Sequence, residues 1–592
     1  EGDAYKITVS RLFESRTHPI RINALIKQEE TIADQYSLKM QKRWALYVTV
    51  TVILSSCSGF PQFDIKPKDV DHRTSGDTKG SSSTSTLEDA SYWNQIGQNI
   101  LSKHKSQRPI EKQAKNVILF IGDGMSSPTI TAARIYKGQQ FLGTYGEDTV
   151  LEFENFPNIG ISKTYCIDYQ VGDSACTGTA YLTGVKANLD TIGVDINVKY
   201  NNCSAQNMPE YHVNSIMKWA QDVGKSTGIV TNTRVTHATP ASSYAHTANR
   251  NWESDADLTY YGQQNSTICD DIAEQLVYKE PGKNFKVILG GGRSKFQPNT
   301  TADPEEGMGS RFDGVDLIQE WGKSKENMGK SHKYVTSRDE LMAVDIANTD
   351  YILGLFERSH LGHHLLNEGK NNPTLEEMTT TAINLLQKDT TGFVLLVESG
   401  HIDIAHHEGK PHLALHETIE LEKAVAAARK LTDTHDTLII VTADHSHTMT
   451  INGYPLRGDS IFGVGYISDV DHMPWTTLSY ANGPGYRKGN PDGSRYNITD
   501  DDFQAIEYKP IATAPTNSET HGGDDVAVYA IGPQAHLLQG VYEQNYIAHL
   551  IGYAACMGPG DHFCESETNS AIPLTSSLHT LLAVFIIYMI KA

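Results

Sequence analysis

The chain has 592 residues, 39% of them hydrophobic, enough for one large α/β domain with insertions or for two or three domains. Its formal net charge of −21 excludes a general nucleic-acid-binding surface, because nothing cancels phosphate repulsion globally. A site that handles phosphate then needs local cations, from arginine or from metals.

The sequence opens on Glu1, and Met40 is the expected start. Lys42 and Arg43, the apolar run 44–54 and the small residues to Gly59 have the layout of a secretory signal peptide. The run is short for a membrane span, and a signal anchor is the alternative. Residues 1–58 are therefore set apart from the fold. Residues 59–86, with a polar Gly/Ser/Thr-rich stretch, are expected to be a flexible lead-in to a folded body at 87–564.

Three apolar runs, 117–121, 393–397 and 438–441, are uninterrupted by polar residues, as strands buried on both faces of a parallel sheet should be. Helical patterns such as 417–431 lie between them. The expected fold is α/β, a three-layer sandwich with a large, mostly parallel central sheet flanked by helices. Residues 453–518, rich in Gly, Pro, Tyr, Asn and Asp, read as a small irregular insertion subdomain.

Each run leads into metal-ligand residue types. The first ends in Gly122-Asp123-Gly124, the second in Glu398 and then Asp403, the third in Asp444-His445-Ser446-His447. Ligands of open α/β sheets bind outside the carboxyl ends of the strands, so these residues point to one site. Asp403 and His407 share a helix face at i, i+4 and can chelate one ion, with His406 turned elsewhere. His521 lies far downstream in a turn-like setting. Asp173-Ser174-Ala175-Cys176 has small residues for a tight helix start. Ser174 there is either an N-cap or a nucleophile beside an anion-binding helix terminus. Arg250 is a candidate fork for phosphate oxygens.

Seven cysteines are present. In an oxidising compartment Cys203 is expected to pair with Cys269 and Cys556 with Cys564. Cys57 would leave with the signal, and Cys166 and Cys176 would stay free. N-x-S/T sequons stand at Asn202, Asn265, Asn299 and Asn497. The apolar run 581–590, a polar spacer and Asn569-Ser570-Ala571 match a glycosylphosphatidylinositol (GPI) signal whose tail at 565–592 is removed. Asn569 or Ser570 is the expected attachment residue, and a tail-anchored helix is the alternative.

The chain resembles the alkaline phosphatases in their membrane-anchored animal form. The resemblance rests on Phe120-Ile121-Gly122-Asp123-Gly124-Met125, Asp173-Ser174-Ala175, Val235-Thr236-His237-Ala238-Thr239-Pro240 and Tyr244-Ala245-His246-Thr247. It continues through Val397-Glu398-Ser399-Gly400, Thr442-Ala443-Asp444-His445-Ser446-His447 and Glu519-Thr520-His521-Gly522-Gly523, in unbroken order from about Asp89 to Cys564. It implies hydrolysis of a broad range of small phosphate monoesters through a phosphoserine at Ser174, activated by zinc and not by a histidine base. By motif, Asp403, His407 and His521 would hold one zinc. Asp123, Asp444 and His445 would hold a second, shared with Ser174, and Asp123, Thr239 and Glu398 a magnesium. Arg250 would clamp phosphate, with His237 behind the magnesium and Asp173 beside the serine. A calcium site would fall on Glu305, the Phe356 carbonyl, Glu357 and Asn372, weakened because the family usually has aspartate at the last position. The resemblance also implies a homodimer, embraced by a helix near residues 88–101, on the extracellular face of the plasma membrane through a lipid anchor.

Two departures stand out. Ile404-Ala405 replaces the usual His-Gly after Asp403, and His401 replaces a common arginine. The competing readings are an α/β-hydrolase-type serine hydrolase, a related sulfatase or phosphodiesterase, and a catalytically impaired binding protein of the same fold.

Overall fold

The computed structural model describes residues 88–262, 268–367 and 369–560. The chain divides into two compact units, 1–92 and 93–592. Only residues 88–92 of the first are described, and the folded body belongs to the second.

Its centre is a ten-stranded sheet. The strands run in the order Gly540–Glu543, Asn158–Lys163, Val526–Ile531, Thr437–Thr442, Asn116–Gly122, Phe393–Ser399, Ser226–Arg234, Val287–Gly291, Tyr351–Leu355 and His332–Val335. All neighbours pair in parallel except Val526–Ile531, which is antiparallel to both its partners. The three apolar runs are adjacent central strands, so they have no exposed face and need none of the alternation of a half-buried strand.

Alternate side chains of these strands enter two cores. Ile118, Phe120, Leu395, Val397, Ile439 and Val441 pack with the helices Leu375–Leu386 and Pro411–Leu431. Val117, Leu119, Ile121, Val394, Leu396, Leu438 and Ile440 pack on the opposite face with the helices Ile216–Asp222 and Tyr546–Ala555. The period-2 pleat thus produces the three layers.

Register brings the strand ends level. Ile121 pairs with Glu398 on one side and with Thr442 on the other. Asp123 and Asp444 therefore each follow two residues after a paired position, at one edge of the sheet. Residues 453–518 are less irregular than their composition suggests. Val464–Ile467 and Pro474–Thr476 form a hairpin, and Leu478–Gly483 pairs with Met449–Ile451 and Ala512–Pro515.

Cys203 and Cys269 form the expected disulfide. Cys166 and Cys176, expected to be free, are also joined. The segment after Asn158–Lys163 turns back before the helix Ser174–Thr183, bringing their Cα atoms to 5.7 Å, a closeness that a ten-residue spacing cannot reveal. Cys556 is disulfide-bonded as well. Cys564, its expected partner, lies outside the described residues, as do Cys57, Asn265, Asn569, Ser570 and both terminal apolar runs.

Candidate active site

Ser174 is the first residue of the helix Ser174–Thr183, and it is buried. It is not the N-cap. Asp173 takes that position, and its carboxylate accepts hydrogen bonds from the N–H groups of Ala175 and Cys176 at 3.1 and 3.2 Å. The capping work is done by the neighbour, which leaves the Ser174 hydroxyl for the site. Its Oγ lies 3.2 Å from His445 Nε2. Asp173 Oδ2 is also 2.9 Å from Arg250 Nη1, so one carboxylate fixes both the helix start and the arginine.

Around Ser174 the strand ends deliver three donor groups. Asp123, Asp444 and His445 form the first, with ligand atoms within 4.8 Å of one another. His445 Nε2 lies 3.1 Å from Asp444 Oδ2 and 3.5 Å from Asp123 Oδ1. Burial holds the His445 pKa well below the usual range, so its imidazole is neutral and can offer a lone pair. Asp444 Oδ1 accepts from the Gly124 and His445 N–H groups, which sets the carboxylate's orientation.

The second group is Asp123, Glu398 and His237. Glu398 Oε2 accepts from the hydroxyls of Thr231 and Thr233 on the neighbouring strand. Burial raises the Glu398 pKa to about 7, and burial with help from Asp444 and Asp403 raises that of Asp123 well above the usual carboxylate range. His237, lowered to about 3 by burial and by Arg250 and Arg234, is neutral. Its Nε2 stands 3.4 Å from Arg250 Nη2.

The third group is Asp403, His407, His447 and His521. Asp403 and His407 lie one turn apart in the helix His401–His407. His521 arrives by a short antiparallel pairing in which it faces His447. Nε2 of His407 and of His521 lie 3.3 and 3.4 Å from Asp403 Oδ1 and 3.0 Å from each other. Their Nδ1 atoms bond the carbonyls of Glu519 and Gly172, which turns both Nε2 atoms inward.

His447 and Glu519 belong to motifs visible in the sequence, where neither carried an assigned role. His447 bridges the Asp403 carboxylate at 2.6 Å and the Glu519 carboxylate at 2.5 Å. Burial alone would lower its pKa, but these two carboxylates outweigh it and raise it to about 10. A His447 cation thus orients Asp403. A Cβ on Gly124, whose φ is +67°, would overlap the His447 ring, so the glycine is required twice over.

The departures have local consequences. Ile404 is half-buried beside Asp403 and supplies no polar group. His401 is buried with neither ring nitrogen hydrogen-bonded, and burial lowers its pKa to about 4. His406 turns away from the site, to Thr129 and Tyr480. Glu357 and Asn372 are hydrogen-bonded to each other, and Arg358 N donates to Glu305, so these residues gather beside the loop after Tyr351–Leu355. Two cations stand among them: Lys370 Nζ 3.1 Å from Glu357 and Arg293 Nη2 2.8 Å from Glu305.

Both oxygens of Asp123, Oε1 of Glu398, Oδ2 of Asp444 and Oγ1 of Thr239 are buried without a hydrogen-bond partner. Unpaired acceptors are costly inside a protein, and five at one sheet edge fit cations as their missing partners.

The alkaline phosphatase family profile matches residues 114–557. A "membrane-bound alkaline phosphatase" of Bombyx mori is 45% identical over 516 residues, 86% of this chain and 93% of that protein. The "alkaline phosphatase, tissue-nonspecific isozyme" of Gallus gallus is 48% identical over 494 residues, 82% and 93% of the two chains. Among solved structures, alkaline phosphatase from Thermus thermophilus superposes with a TM-score of 0.53 at 22% identity, covering 76% of this chain and 92% of that one. The alkaline phosphatase of the Antarctic bacterium TAB5 has a TM-score of 0.50 at 22% identity, over 76% and 99%. These two support the fold. With the long sequence matches, they lead to one conclusion: the chain belongs to the alkaline phosphatase family and is a metal-dependent phosphomonoesterase.

Proposed function

We propose that the enzyme acts through a phosphoserine at Ser174, with two zinc ions and one magnesium as cofactors. The observation that carries this reading is Asp123, whose two oxygens are buried and unpaired where two donor groups meet. Asp403, His407 and His521 would hold one zinc, and Asp123, Asp444, His445 and the Ser174 oxygen the other. Asp123, Thr239 and Glu398 form an oxygen-only set, which suits magnesium, whereas mixed imidazole and carboxylate sets suit zinc. When bound, these ions supply Lewis-acid activation of the serine and water oxygens and offset phosphoryl charge.

The chain's own residues do the rest. Ser174 Oγ attacks phosphorus, the bond to the leaving alcohol breaks, and the phosphoryl group stays on Ser174. Arg250, braced by Asp173, forks onto phosphoryl oxygens. Water then attacks from the vacated side, releasing phosphate and restoring the serine hydroxyl. These contacts fall on the phosphoryl group alone, which supports broad specificity for monoesters. The reading is tested by removing metal with a chelator and restoring zinc and magnesium. Aryl phosphate turnover should vanish and return; turnover that survives complete metal removal overturns it.

Calcium at Glu305, Phe356, Glu357 and Asn372 belongs to the same proposal. Lys370 and Arg293 compete for its carboxylates, so binding should be weak. Secretion, a GPI anchor at Asn569 or Ser570 and residence on the extracellular face are further parts. The disulfides, the exposed sequon residues Asn202, Asn299 and Asn497, and the relative named as membrane-bound support them. No helix among the described residues is long and apolar enough to cross a membrane. Release of the enzyme from cells by a phosphatidylinositol-specific phospholipase C is expected; retention contradicts the anchor. Homodimerisation is supported by the helix Ala90–Ser106, which buries no residue and exposes Trp93, Ile100 and Leu101. Deleting residues 88–106 should shift the dimer towards monomer in sedimentation.

A further inference from the structure

A second histidine and carboxylate cluster lies away from the sheet edge. His416 and Glu420 are one turn apart in the helix Pro411–Leu431, and both are buried. His364 opens the short turn His364–Leu366 packed against that helix. His364 Nδ1 and His416 Nε2 are 3.0 Å apart. Glu420 Oε1 lies 3.5 Å from the first and 3.4 Å from the second. The cluster is pre-set by its surroundings. Tyr136 OH stands 3.3 Å from His416 Nδ1 and can accept its proton, which leaves Nε2 with its lone pair. Glu417 Oε1 accepts from the His364 backbone N–H at 2.6 Å, holding the turn against the helix. All three donors line a cavity of about 390 Å³.

We propose that His364, His416 and Glu420 form a further metal site that takes zinc or a similar transition ion, with its fourth position open to water in the cavity. Two imidazoles and one carboxylate select this class over calcium or magnesium, and three protein ligands with one open position is an established zinc geometry. Binding through His364 Nδ1 would require that ring's proton to move, by exchange with water, to its Nε2, so both imidazoles stay neutral and no net proton is released. It would also loosen Lys423, whose Nζ is 2.6 Å from the same Glu420 oxygen on a half-exposed side chain free to turn to water. The ion would pin the His364 turn to the helix. The competing arrangement is a metal-free chain of hydrogen bonds from Lys423 through Glu420 to the two imidazoles.

The test is zinc content after equilibrium dialysis of the full-length enzyme against micromolar free zinc. His364→Ala removes an exposed ligand and Glu420→Gln a buried one, and neither touches the Ser174 site. Wild type should hold one more zinc per chain than either variant, while aryl phosphate turnover stays within about twofold. Thermal stability should rise with free zinc in wild type beyond the rise in His364→Ala, by mass action at the extra site. Equal zinc content in wild type and His364→Ala overturns the proposal. Because the comparison is a difference between chains with the same Ser174 site, it holds whatever metals that site takes.

Discussion

Arg250→Ala isolates the phosphate clamp. The side chain is half-buried, and Asp173 engages only its Nη1 at 2.9 Å, leaving donors for a phosphoryl group. Hydrogen bonds to charged groups contribute about 1.5–3 kcal/mol each, so losing a two-pronged contact costs about 3–6 kcal/mol. At about 1.4 kcal/mol per tenfold, kcat/KM should fall by ~10²- to 10⁴-fold. The fold should survive. Asp173 keeps the N–H groups of Ala175, Cys176 and Asp190, so the helix start stays capped. Arg250→Lys keeps the charge without the fork and should recover only part of the loss. Initial rates on an aryl phosphate, inhibition by inorganic phosphate and thermal unfolding separate the effects. Arg250→Ala with kcat/KM within tenfold of wild type and an unchanged melting temperature refutes the clamp.

Other perturbations probe the same contacts. His447→Ala removes the bridge between Asp403 and Glu519, and zinc should bind about 10- to 100-fold more weakly, read by competition with a chelating dye. Unchanged zinc affinity would mean that Asp403 needs no brace. Gly124→Ala places a Cβ in the His447 ring at positive φ, and should lower both activity and melting temperature; a neutral result counts against the packing described. In metal-free enzyme Glu398 has its pKa raised from 4.5 to about 7, so the folded state holds a proton that the unfolded state gives up. Stability should therefore fall as pH rises from about 4.5 to about 7, by about 3 kcal/mol at most for this group. Bound metal should remove that fall, and denaturant titrations of the two forms across this range check it. Replacing Cys166 and Cys176 together by serine opens a short loop before the Ser174 helix and should cost about 2–3 kcal/mol, measured by urea unfolding.

The central sheet was legible because runs such as 117–121 and 393–397 have no polar face to show, a pattern that only strands buried on both sides sustain. Asp123, Glu398 and Asp444 were legible as a group because each follows such a run. What escaped depended on long-range geometry. Glu519 is 72 residues from His447, and only the pairing of Ser446–His447 with His521–Gly522 brings them together. Cys166 and Cys176 are close because the chain doubles back, which spacing does not encode. The N-cap fell to Asp173, not Ser174, since both residue types favour that position and backbone angles decide between them. His364 and His416 belong to no motif, and the turn that joins them exists only in the fold.

The central claim is that Ser174 carries the phosphoryl group. The most direct measurement is mass spectrometry of peptides from enzyme quenched in acid during turnover of an aryl phosphate. Wild type should carry one phosphoryl group on the peptide containing Ser174. Ser174→Ala should carry none while its zinc content stays near that of wild type. A phosphorylated peptide persisting in Ser174→Ala, or a phosphoryl group found on another residue of the wild type, contradicts the account.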